Sequence, residues 1–72
     1  MWIIIKAFNT AVGFKEWLEE KGIKDNDKRQ AIAERLIKGE IISYGKASRL
    51  RYSVECNLEI FYVERKGQEY EN

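Results

Sequence analysis

The chain predicts an α+β domain of order β-α-α-β-β-β, a small twisted antiparallel sheet with two helices on one face. Three observations carry that prediction. Side chains of opposite character alternate through RLRYSVECNLEIFYVERK between residues 49 and 66, the signature of two paired strands. Two stretches between residues 14 and 37 place apolar groups at helical spacing, and a β-branched, aromatic run opens the chain.

Trp2 to Phe8 reads as the first strand. Its apolar density predicts a strand flanked by others or covered by a helix rather than an exposed edge, with Ile3, Ile5 and Ala7 inward if Lys6 points outward and the face of Ile4 and Phe8 less buried. Phe14, Trp17 and Leu18 then share one helical face, Lys15, Glu16, Glu19 and Glu20 stay wet, and Gly22 ends the helix. Its start is open between a cap at Asn9 or Thr10 and a beginning after Gly13.

A second helix starts at Asp27, three residues before Gln30 as a capping pair requires, or at Asp25 or Asn26. Ile32, Ala33, Leu36 and Ile37 form its buried stripe, and Gly39 supplies a left-handed stop. Residues 40 to 44 can form a short strand, and Gly45 and Lys46 turn the chain into a strand from about Ala47 to Glu55. A tight connection at Cys56 and Asn57 sets Tyr52 opposite Phe61 and Leu50 opposite Val63. On the other face the same register sets Arg51 opposite Tyr62, Arg49 opposite Glu64 and Ser53 opposite Ile60. Residues 67–72 read as a flexible tail whose apolar content is Tyr70.

The 72 residues form one domain, too short for a deep substrate cavity. With 44% hydrophobic and 35% charged residues the chain is globular in composition, and thirteen basic against twelve acidic residues leave only a local patch to attract an acidic partner. A single cysteine and no histidine exclude an intramolecular disulfide, a zinc cluster and an imidazole base, so no metal or cofactor is expected. MWIIIKAF lacks a basic leader and a cleavage site, and no run approaches the roughly 18 apolar residues of a membrane span. A cytoplasmic protein without membrane contact is the expectation. Cys56 is expected to pack as a small residue, and Trp2 and Trp17 to act as core anchors.

Two surfaces can carry function. Ile60 and Tyr62, outside the core beside Arg51, suit a non-enzymatic module that binds a protein, as an inhibitor or regulator, or that self-associates. Lys46, Arg49, Arg51, Arg65 and Lys66, interleaved with Tyr44 and Tyr62, offer cations for phosphates and rings for stacked bases, so RNA is the alternative partner. Against both stands an ordinary sheet face in which Arg49 pairs with Glu64 and Arg51 lies over Tyr62.

The order of elements, with FKEWL at Phe14 to Leu18, RQAIAERL at Arg29 to Leu36, and the strands LRYSV and EIFYV, resembles the small bacterial ribonuclease toxins of the RelE/ParE superfamily. That resemblance implies an RNA-facing concave sheet on which basic residues polarise the scissile phosphate and a tyrosine aids proton transfer. Lys46, Arg49, Arg51, Arg65 and Tyr62 are the candidates it implies.

Overall fold

The computed structural model describes residues 1–67. Its elements are β1 (Trp2–Phe8), α1 (Ala11–Glu20), α2 (Asn26–Ile37), β2 (Ile42–Tyr44), β3 (Ser48–Glu55) and β4 (Leu58–Lys66). The strands form one antiparallel sheet in the order β1-β4-β3-β2, and the two helices pack on one face of it. Among the described residues no helix is long and apolar enough to cross a membrane.

The β3–β4 hairpin takes the register that side-chain complementarity dictates: Leu50 faces Val63, Tyr52 faces Phe61, Arg51 faces Tyr62, Arg49 faces Glu64 and Ser53 faces Ile60. Its two-residue turn holds Cys56 at φ 53° and Asn57 at φ 65°. Positive φ at both central residues matches the strand twist, as in type I′ turns. Cys56 is thus an exposed turn residue, not the packed small group expected from the sequence.

Both helices are fixed at their ends by local chemistry. Thr10 caps α1, its hydroxyl accepting from the Gly13 N–H at 3.0 Å, so the helix starts before Gly13 and contains it. Asp25 caps α2, its carboxylate accepting from the N–H groups of Asp27 and Lys28. Gly22 and Gly39 follow the two helix ends at φ near 100°, where a Cβ would clash with its own backbone.

The core joins Phe14, Trp17 and Leu18 of α1 and Ala33 and Leu36 of α2 to Leu50, Phe61 and Val63 of the sheet. Phe14 stacks on Phe61 with ring centroids 4.8 Å apart, and Tyr52 meets Phe61 edge-on at 5.0 Å. Ile37, expected in the buried stripe, is exposed, because α2 ends there and turns its last residue past the sheet. Val54 lies at the hairpin tip and is exposed as well.

The first strand departs most from expectation. Among the described residues β1 is an edge strand, paired with β4 alone, and Ile3, Ile4 and Ile5 are between 46% and 50% exposed. The helices reach only its end, where Phe8 packs on Phe14 and Trp17. A register shift between Ile4 and Lys6 makes Ile5 an inserted residue. The faces therefore exchange: Phe8 joins the core and Ala7 is exposed, the reverse of a regular alternation anchored on Lys6. The flexible tail expected over residues 67–72 lies outside the described residues from residue 68 onward. Gly67 itself donates its N–H to the Met1 carbonyl at 2.6 Å.

The hairpin turn gives a direct check of this backbone. Replacing Cys56→Asn together with Asn57→Gly supplies the two residues that tolerate positive φ best. It is expected to stabilise the fold by about 1 kcal/mol, read as a higher urea midpoint at unchanged m. Asn57→Val should shift the midpoint the opposite way.

Candidate functional site: the open face of the sheet

Strand alternation sends Leu50, Tyr52, Phe61 and Val63 toward the helices and Arg49, Arg51, Ser53, Ile60, Tyr62 and Glu64 to the opposite, helix-free face. Trp2 and Ile4 of β1 stand on that open face too, as cross-strand neighbours of Lys66 and Glu64. Among the described residues no secondary-structure element covers it.

Its centre is Glu64, only 4% exposed although it lies on an uncovered face. Arg49 Nε donates to its Oε1 at 2.7 Å, and Arg51 donates from Nε and Nη2 to its Oε2 at 3.0 and 2.9 Å. Each guanidinium also lies over a ring. Arg49 Cζ is 4.1 Å from the centroid of Trp2, and Arg51 Cζ is 4.4 Å from that of Tyr62. The Tyr62 hydroxyl in turn donates to Glu55 Oε2 at 2.7 Å. The result is a ladder across three strands, Trp2, Arg49, Glu64, Arg51, Tyr62 and Glu55, in which two cations balance two anions.

Burial acts most strongly on Glu64 and opposes its charge, but the hydrogen bonds from Arg51 and Arg49, aided by their positive charge, outweigh it. The carboxyl is held below its usual range. Tyr62 is shifted the other way: its hydrogen bond to Glu55, then burial, raises the phenol above the ordinary tyrosine value.

The structure brings Arg49, Arg51 and Tyr62 together, with Ile60 half-buried beside them. It does not leave Tyr62 exposed: the ring is 7% accessible under Arg51, so the free aromatic surface expected from the sequence is taken up within the protein. Arg65 pairs with Ser48 and Ile3 and projects to the helix side, and Tyr44 packs against Trp17, so neither joins a continuous strip with Arg49 and Arg51. Lys46 is exposed in the turn between β2 and β3. Trp17 anchors the core, its indole Nε1 buried without a hydrogen-bond partner, whereas Trp2 is 37% exposed on the open face.

Two members of the site escape a reading of the sequence. Glu64 appears there as the partner of Arg49 alone, although Arg51 is its diagonal neighbour, within reach of a long side chain. Trp2, expected as a core anchor, is the second: strand alternation sets it on the open face with Ile4, which takes the less buried face expected of it. Shallow open grooves lie elsewhere, on the helices, one of them lined by Ile23, Lys28, Ala31, Ile32 and Arg35. Among the described residues no three histidine, cysteine or acidic side chains gather to hold a metal ion. Comparison of the chain with family models, with characterised proteins and with solved structures finds no match.

The sign of the Glu64 shift fixes a pH dependence. A carboxyl with a lowered folded pKa contributes stability above its unfolded value, near 4.5, and that contribution is lost as pH falls through the folded value. Acidification from about pH 6 toward pH 3 should therefore lower the Tm of the wild type more steeply than that of Glu64→Gln. At neutral pH Glu64→Ala, which strands two arginines, is expected to cost roughly 2 kcal/mol in urea unfolding.

Proposed function

We propose that the chain is a small non-enzymatic module that binds another protein through the open face of its sheet, as an inhibitor or regulator. The observation that carries this reading is the preset layer of Arg49 and Arg51 on Trp2 and Tyr62, with Ile4 and Ile60 at its margins. Tryptophan, tyrosine and arginine are the residue types that dominate interface energetics. Here the two arginines are already held by Glu64 and Tyr62 by Glu55, which lowers the entropy lost on binding. The polar groups are paired in advance, so a partner need only complement the Trp2 ring, the guanidinium planes and the two isoleucines.

The tyrosine and arginines have no poised catalytic state. The Tyr62 proton is held by Glu55, and both guanidiniums are engaged with Glu64. RNA binding or cleavage by Lys46, Arg49, Arg51, Tyr62 and Arg65, the alternative implied by the RelE/ParE resemblance, has less support. The ladder is electrically balanced, and Arg65 lies on the other face.

Affinity capture from the source lysate, with the recovered partner titrated against purified variants, tests the reading. Ile4→Ala and Ile60→Ala trim apolar contact without adding a charge beside the arginine–glutamate network and should each weaken binding by about tenfold or more. A protein that binds both variants as tightly as the wild type would reject this face. Recovery of nucleic acid alone, with affinity falling steeply as salt rises, would replace the reading with the RNA one.

A further inference from the structure

The edge of β1 has a defined backbone polarity. The Lys66 N–H donates to the Ala47 carbonyl on the β3 side at 2.7 Å, whereas the Gly67 N–H donates to Met1 at 2.6 Å. Backbone direction alternates along an antiparallel strand, so Arg65, like Gly67, turns its N–H and C=O toward β1 and exchanges them with Ile3. It follows that Trp2 and Ile4, on either side of Ile3, direct their N–H and C=O groups away from β4 to the open edge. Among the described residues no strand lies there.

We propose that this edge is the seam of a two-fold homodimer in which β1 pairs antiparallel with β1 of a second copy, joining two sheets into one of eight strands. With the axis at Ile3, Trp2 of each copy faces Ile4 of the other, and the two pairs exchange four backbone hydrogen bonds. Ile3 meets its own counterpart at the non-hydrogen-bonded position on the axis. This register also matches faces. Trp2 and Ile4 both stand on the open face, so their side chains meet across the seam, while the two Ile3 side chains meet on the helix side.

Several features select a second copy as the occupant. The segment is its own complement in backbone direction, in face and in apolarity, and no charge is placed opposite an isoleucine. With the axis at Ile3 the paired segment runs from Trp2 to Ile4, and the inserted Ile5 ends regular pairing before Lys6 is reached. A formal charge of +1 per chain leaves little repulsion between copies. The inference does not depend on the hetero-partner reading, and its test uses the purified chain alone.

Sedimentation from about 1 μM to about 1 mM should show a monomer–dimer equilibrium. Ile4→Pro removes one outward N–H and no bond to β4, and should weaken the dimer at least about tenfold. A second measurement stands apart from the stability of that variant. In a Cys56→Ser background, Ile3→Cys brings two sulfurs together where cross-strand Cα atoms lie about 4.5 Å apart. It should form a covalent dimer under mild oxidation far faster than Lys6→Cys, which lies beyond the bulge. A strictly monomeric wild type at the highest concentration, or equal cross-linking of the two cysteine variants, would overturn the proposal.

Discussion

A carboxylate at 4% exposure on a sheet face without a covering layer is the constraint around which this molecule is arranged. In so short a chain the two helices cover one side of the sheet only as far as Phe8 at the end of β1, and the other side must be shielded by its own side chains. Glu64 makes that possible by pinning Arg49 and Arg51 flat, so that their guanidiniums and the rings of Trp2 and Tyr62 close over the central strand. Without the carboxylate, two like charges would stand side by side on β3 with no reason to lie down. Their aliphatic stems would then cease to screen the backbone beneath.

The same arrangement explains why charge on this face is a poor guide to its partner. Five cationic residues read along the strands suggest a phosphate-binding strip, yet on the folded face Arg49 and Arg51 are matched by Glu64 and Glu55, which leaves Lys66 at its margin. What it presents is shape: the Trp2 ring, fixed guanidinium planes and half-exposed isoleucines. The two tryptophans then report on different sides of the sheet, Trp17 from the core and Trp2 from beneath Arg49. A soluble fluorescence quencher has access to Trp2 and hardly any to Trp17.

Much of the fold was legible in the sequence because it rests on local rules. The hairpin register followed from pairing like with like, and the helix stripe of Phe14, Trp17 and Leu18 from a period of 3.6. The Arg49–Glu64 pair and the Arg51–Tyr62 stack followed from the same register. What stayed hidden depends on long-range order. An apolar run looks alike whether it is central or at an edge, so the position of β1 beside β4 alone could not be read from Trp2 to Phe8. The inserted Ile5 has no sequence mark, and it reversed the assignment of Ala7 and Phe8. Tyr62 was expected in the open because alternation tells which face a residue takes, not what else lies over it.

The other edge of the sheet is β2, only three residues long, with Ser43 between Ile42 and Tyr44. An edge so short offers too few backbone groups to template a further strand. Its two apolar residues are turned toward the core. A molecule with one long edge and one stunted edge cannot propagate: once two long edges have met, both ends of the joined sheet are stunted ones. In the proposed dimer growth would therefore stop at a closed pair rather than run on into a fibre.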